Sequence, residues 1–146
     1  MSLEEYKKKR NFKKTKEPEA KVKLGKNNIY VIQRHDASHL HFDLRLEMDG
    51  VLKSWAIPKN PPTKKGIKRL AVQTEDHPVD YADFEGVIPE GQYGAGKVKI
   101  WDRGTYEIES RKDNKIVFHV KGKKLKGRYC LIKFKGQEKN WLFFKC

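Results

Sequence analysis

The sequence predicts an all-β, mainly antiparallel fold: a β-barrel with short peripheral elements. Three observations carry that expectation. Nine short runs rich in β-branched and aromatic residues alternate with turn residues between positions 27 and 146. No segment beyond the N-terminus sustains a helical period. Asp49-Gly50 separates two alternating runs, and the tight hairpin turn it implies needs the positive φ these residues tolerate.

In chain order, residues 1–26 read as a basic, mobile arm with a short helix at Leu3–Lys9. They hold ten Lys or Arg against four Glu, a net of +6. A solubilising tail and a phosphate-contacting tail both fit such a run. Residues 27–146 form a single domain. Its strands are expected at Ile29–His35, His39–Met48, Val51–Ile57, Lys68–Glu75, Lys97–Trp101, Thr105–Glu109, Lys115–Val120, Arg128–Phe134 and Trp141–Lys145. Pro58, Pro61 and Pro62 mark a loop, and Asp102-Arg103-Gly104 and Lys135-Gly136 mark turns. Closing the sheet would protect its edges.

The whole chain has 33 Lys and Arg against 19 Asp and Glu, a net charge of +14 in 146 residues, which points to a polyanionic partner and above all to nucleic acid. No stretch is apolar enough to span a membrane and no secretory signal is visible, so no membrane partner is expected. Hydrophobic residues, 37% of the chain, suffice for a core. Cys130 and Cys146 form neither a CxxC pair nor a zinc-ribbon spacing, which fits a reducing cytoplasm. Against this basic background, residues 70–96 contain no Lys or Arg but carry Glu75, Asp76, Asp80, Asp83, Glu85 and Glu90. Such an island implies either a neutralising divalent cation or pairing with the basic surface.

The residues that point to chemistry lie in His39-Leu-His41-Phe-Asp43-Leu-Arg45-Leu-Glu47. A strand alternates faces, so His, His, Asp, Arg and Glu share one face and the apolar residues the other. Alternate Cα atoms sit roughly 6.5–7 Å apart, close enough for His41 and Asp43 to converge on one ion. His35 could return to the same place across a turn at Asp36-Ala-Ser38. Imidazoles with a carboxylate suit Mn²⁺, Fe²⁺ or Zn²⁺. A charged strand face is ordinarily solvated, but three of the chain's five histidines fall within seven residues. A second stripe repeats the odd parity at Arg69, Gln73, Glu75 and His77. The glycine-rich segment from Pro89 to Gly96 lacks the phosphate-loop lysine and a following helix, so it reads as a tight loop in which Tyr93 could stack on a base.

Longer stretches resemble the 3′-phosphoesterase domain of the DNA ligase D family. They run Val31-Ile-Gln-Arg-His-Asp-Ala-Ser-His-Leu-His-Phe-Asp-Leu-Arg-Leu-Glu, Leu52-Lys-Ser-Trp-Ala-Ile-Pro, Arg69-Leu-Ala-Val-Gln-Thr-Glu-Asp-His-Pro-Val-Asp-Tyr-Ala-Asp-Phe-Glu-Gly, and Ile88-Pro-Glu-Gly-Gln-Tyr-Gly-Ala-Gly. The resemblance implies a β-barrel and a Mn²⁺-dependent enzyme, with other first-row metals as alternatives. Its substrates would be nucleic acid 3′ ends in DNA or RNA. A terminal 3′-ribonucleoside is removed to leave a 3′-phosphate, and the phosphate is then hydrolysed to a 3′-OH for repair and ligation. By the same resemblance His35, His41 and Asp43 are metal ligands and Arg45, His77 and Tyr81 catalytic, with Gln33, Arg69 and Glu75 in support. His39 acquires no role.

A nucleotidyl-accepting lysine in a KxDG setting is absent, since Glu47-Met-Asp49-Gly50 stands in a hairpin. The expectation is therefore a free-standing processing enzyme working beside a separate DNA ligase. Two rivals stand against it. A non-catalytic basic barrel binding single strands explains charge and fold but not the histidine stripe. A cupin-like enzyme fails on the His41–Glu47 spacing and on a missing third histidine after Pro89-x-Gly91.

Overall fold

The computed structural model describes residues 3–146. After a one-turn helix α1 (Glu4–Lys8), nine strands follow: β1 (Ile29–Asp36), β2 (Leu40–Met48), β3 (Val51–Ile57), β4 (Lys68–Pro78), β5 (Gly86–Ile88), β6 (Gly96–Lys112), β7 (Lys115–Lys121), β8 (Lys126–Lys133) and β9 (Asn140–Lys145). A short 3-10 turn spans Val79–Asp83. Eight strands pair antiparallel in the order β1-β2-β3-β4-β9-β8-β7-β6, and β1 pairs with β6 to close the barrel. The three-residue β5 adds to the start of β6. The expected hairpin turn is present, with φ of 57° at Asp49 and 82° at Gly50.

Alternation along the strands sorts residues into two clusters. Tyr30, Ile32, Phe42, Leu44, Leu46, Trp55, Phe118 and Phe143 point inward and fill the barrel. Val31, Leu52 and Val98 point outward and would be wetted, but Tyr6, Tyr81, Ala82, Phe84 and Ile88 cover them. The outer face of β1–β3 is thus a second buried layer.

Two expectations fail here, each for a physical reason. Asp102-Arg103-Gly104 is not a turn but the middle of β6, which joins the two runs expected at 97–101 and 105–109. A bulge opposite Ile32/Gln33 bends the strand there, leaving Ile100 against the outer cluster and directing Asp102 inward. The Asp102 carboxylate accepts from the backbone N–H groups of Lys123, Lys124 and Leu125 and from the Tyr30 hydroxyl. Gly104 is required by close approach rather than by a turn, because a Cβ would sit 2.0 Å from the Lys121 carbonyl oxygen.

The second concerns the arm. Residues 3–20 are not a mobile tail but a strap laid over the outer layer. Tyr6 is fully buried and its hydroxyl donates to the Pro18 carbonyl, while Thr15 and Glu17 are also buried. Residues 21–26 are exposed, with the Lys23 N–H donating to the Gly50 carbonyl at 2.9 Å.

Candidate metal centre and active site

The stripe on β2 faces outward, towards the strap. In register, β1 places His35 opposite His41 and Gln33 opposite Asp43, so the two imidazoles and the carboxylate meet on one patch of the barrel wall. One ligand atom from each of His35, His41 and Asp43 lies within 4.8 Å of the others. The ring nitrogens away from the patch are occupied. His35 Nε2 donates to the Gly94 carbonyl at 2.7 Å and His41 Nδ1 to the His39 carbonyl at 3.1 Å. That leaves His35 Nδ1 and His41 Nε2 as lone-pair donors, 3.7 and 3.3 Å from the Asp43 oxygens. Backbone carbonyls fixing the tautomers of two histidines beside a carboxylate is the arrangement a first-row divalent metal requires. His39 takes part through its main chain; its own side chain is exposed.

Arg45 is locked beside this patch. Its Nε donates to Gln33 Oε1 at 2.7 Å and its Nη1 to Ser54 Oγ at 2.8 Å, leaving Nη2 3.5 Å from Asp43. Gln33 is braced in turn by donating to the carbonyls of Tyr81 and Phe84. The Tyr81 ring lies under the guanidinium, 4.8 Å from its carbon, and its hydroxyl donates to Glu17 at 2.6 Å. His77 Nδ1 donates to the Glu75 carbonyl at 2.9 Å, which presents Nε2 as an acceptor.

The electrostatics follow from burial and these neighbours. Burial opposes ionisation of Asp43, but Arg45 and the two histidines outweigh it and hold the carboxyl far below its ordinary range. Burial likewise opposes the charged form of His41, yet the hydrogen bond and charge of Asp43 leave its pKa raised. Burial, then Arg45 and Arg10, push His77 well below the ordinary histidine value, so it is neutral at pH 7. Burial keeps the Tyr81 hydroxyl protonated.

Together these residues line a cleft of about 300 Å³. One wall comes from the strap. Arg10, 4% exposed, donates from Nε to Glu17 and from Nη1 to Glu75, with Nη2 3.4 Å from His77 Nε2. Arg10, Glu17 and Ser54 were not singled out by sequence reasoning, because Arg10 and Glu17 sit in a run that reads as solvated. The available signal was Tyr6 and Phe12, two aromatics in a basic stretch that have no reason to be there unless the segment docks.

Arg69 is not brought to the cleft. Its Nε donates to the Asn60 carbonyl on the other face of β4. The odd parity assumed along β4 is broken by a bulge: Ser54 pairs with Thr74 but Leu52 with His77, which gives β4 one extra residue. Ala71 and Gln73 consequently face the core, Gln73 accepting from Trp141 Nε1, whereas Glu75 and His77 face the cleft. Four of the six carboxylates of the acidic island pair with basic side chains: Glu75 with Lys9 and Arg10, Asp76 with Lys53, Asp80 with Lys23, and Asp83 with Arg103; Glu85 accepts from the Ile100 N–H.

The family described as the DNA ligase D 3′-phosphoesterase domain matches residues 33–133. The chain is 48% identical over 154 residues to the multifunctional non-homologous end joining protein LigD of Pseudomonas aeruginosa, covering 98% of this chain and 18% of that protein. It is 48% identical over 146 residues to the LigD of Mycobacterium bovis, covering 96% and 19%. For the LigD of Mycolicibacterium smegmatis the figures are 49% over 153 residues, covering 96% and 20%. The chain spans about a fifth of the length of these relatives. Barrel and match together define a β-barrel phosphoesterase. The chain belongs to the DNA ligase D 3′-phosphoesterase domain family. No helix among the described residues is long and apolar enough to cross a membrane.

Proposed function

We propose that this protein heals nucleic acid 3′ ends in two hydrolytic steps with Mn²⁺. It removes a terminal ribonucleoside to leave a 3′-phosphate, then the phosphate to leave a 3′-OH that a separate DNA ligase can join in the cytoplasm. The observation that carries this reading is the buried Arg45, held by Gln33 and Ser54 with its remaining amino group aimed beside the His35–His41–Asp43 patch. A fixed guanidinium next to a metal-type donor set is suited to gripping phosphoryl oxygens.

His35 Nδ1, His41 Nε2 and a carboxylate oxygen of Asp43 would hold the ion. When bound, it neutralises phosphate charge and lowers the pKa of water. Arg45 Nη2 and Arg10 Nη2 orient the phosphate and stabilise the charge that builds on its equatorial oxygens. His77, neutral, points Nε2 at Arg10 Nη2, 3.4 Å away; once that guanidinium turns to the phosphate, Nε2 takes a proton from the attacking water. Tyr81 keeps Arg45 flat and ties it to the strap through Glu17. Gln33 positions Arg45, and Glu75 positions Arg10.

The test is an end-labelled primer–template bearing one 3′-ribonucleotide, incubated with Mn²⁺ or with EDTA and resolved on a sequencing gel. Stepwise conversion to 3′-phosphate and then 3′-OH, with Mn²⁺ only, is expected. An unchanged primer that still shifts on a native gel would leave a binding barrel in place of an enzyme.

A further inference from the structure

We propose that a second cleft adjoining the metal patch seats the nucleoside that departs in the first step, with Tyr93 as the surface on which its base stacks. The inference rests on the end-processing reading above and adds to it a leaving-group subsite.

This cleft, about 400 Å³, lies between the strap, β4 and the β8–β9 turn. Thr74, Glu75 and Tyr93 line both it and the metal cleft, so these side chains form the divide between two adjoining clefts, with Lys9 Nζ reaching both Glu75 and the Tyr93 hydroxyl. Tyr93 is 47% exposed, and its place beside the metal patch is fixed one residue away, where the Gly94 carbonyl receives the His35 Nε2–H. Lys9 Nζ sits 4.6 Å from the ring centroid, holding the ring at the divide.

The charge of this second cleft selects its occupant. Glu5, Glu75 and Glu138 line it with Lys9 and Lys139, and Glu75 is paired with Arg10 as well, so the cleft is close to neutral in a protein of net charge +14. A phosphodiester backbone is not favoured there. A neutral group rich in hydroxyl and amino donors is, and a nucleoside is such a group. The volume lies within the range of sites that hold small molecules. In the first step water oxygen bonds to phosphorus and the bond from phosphorus to the 5′ oxygen of the terminal nucleoside breaks. That oxygen takes up a proton, and the phosphate stays on the strand's 3′ end. The departing fragment is neutral and must lie on the far side of the phosphate from the strand. In the second step no nucleoside departs, so the second cleft contributes nothing.

The experiment compares the full chain with its Tyr93→Ala, Tyr93→Phe and Glu138→Trp forms on two labelled primers, one ending in a ribonucleoside and one in a 3′-phosphate. Tyr93→Ala removes the stacking face, and Glu138→Trp fills the cleft from an exposed turn. Both are expected to lower kcat/KM on the ribonucleoside primer at least about tenfold more than on the phosphate primer. Tyr93→Phe, which keeps the ring, is expected to restore the ratio. Equal losses on both primers, or no loss on either, would overturn the subsite, and a Phe form as impaired as the Ala form would overturn stacking. A parent protein inactive on both primers would instead overturn the end-processing reading, before any variant is compared.

Discussion

Arg45 shows what a single side chain does in this site. Two of its three nitrogens are spent on Gln33 and Ser54, so the third has a fixed direction. An Arg45→Lys form keeps the charge but loses the fork, and kcat/KM on a 3′-phosphate primer is expected to fall roughly 100-fold with the fold intact by circular dichroism. His41→Ala removes one of the proposed ion ligands outright. Its Mn²⁺ affinity by calorimetry is expected to drop by more than the roughly 10–100-fold that losing a ligand's supporting partner costs. Unaltered affinity would show that the ion binds elsewhere. His41, Asp43 and Arg45 were legible in the sequence because a strand's alternation needs no knowledge of the rest of the fold. Arg69 was misplaced because the same parity rule was carried across a bulge that only the Ser54–Thr74 and Leu52–His77 register reveals. Tyr81 came from resemblance alone, since nothing about a tyrosine in a loop announces that its ring will lie under an arginine.

The strap is the element whose behaviour the sequence misrepresents most. Its lysines are exposed and its two anchors, Tyr6 and Arg10, are buried, so composition averages them into a solvated run. Burying an aromatic side chain contributes roughly 2–3 kcal/mol, which offsets the ordering of only a few residues, so Tyr6 acts together with Arg10, Thr15 and Glu17 in docking the strap. Under limiting trypsin, cleavage is expected first at Lys21, Lys23 and Lys26, with Lys7–Arg10 protected. Early cutting at Arg10 would contradict the docked strap. Arg10→Ala strips the counter-charge from buried Glu17 and Glu75 together, and a loss of about 3 kcal/mol in urea unfolding is expected. The strands themselves were almost all legible, because the hydrophobic face and the turn residues agree at each one. There are two exceptions: β5, Gly86–Ile88, is too short to show alternation and was not expected. The Asp102–Gly104 segment carries turn-type residues for a different purpose: its carboxylate receives the 123–125 backbone and its glycine lets another strand's carbonyl pass.

For the whole molecule, buried groups set the response to acid: His77 lies well below its ordinary value and outweighs the opposite, lesser rise at His41, while Asp43 and Asp102 are both held low. His77 has its folded pKa below the ordinary 6.5, so the unfolded chain binds the extra proton first and stability present above 6.5 declines as the pH falls past it. Asp102 has its folded pKa below the ordinary 3.8, held there against burial by three N–H donors and Tyr30, so a further loss follows below 3.8. Urea midpoints are expected to fall between pH 7 and pH 5 and again below pH 4. A midpoint unchanged from pH 7 to pH 5 would place the His77 proton differently. The surplus of +14 acts at longer range. Affinity for any duplex is expected to weaken linearly on a plot of log K against log salt, with a slope that counts the phosphates neutralised.

Barrel closure also dictates an order of assembly. All three residues of the metal patch lie on the β1–β2 hairpin, whose strands are separated by a few residues. The barrel closes only when β1 meets β6 and β4 meets β9, pairings that reach across about half of the chain and are slow to form. The strap rests on the outer layer those closures create. During synthesis or refolding, the hairpin that carries His35, His41, Asp43 and Arg45 is therefore expected to form before Gly94 fixes His35 and before the strap brings Arg10 to the cleft. The nascent chain is expected to pass through an interval in which the residues of the patch are paired in register and the Arg10 wall of the cleft is still missing.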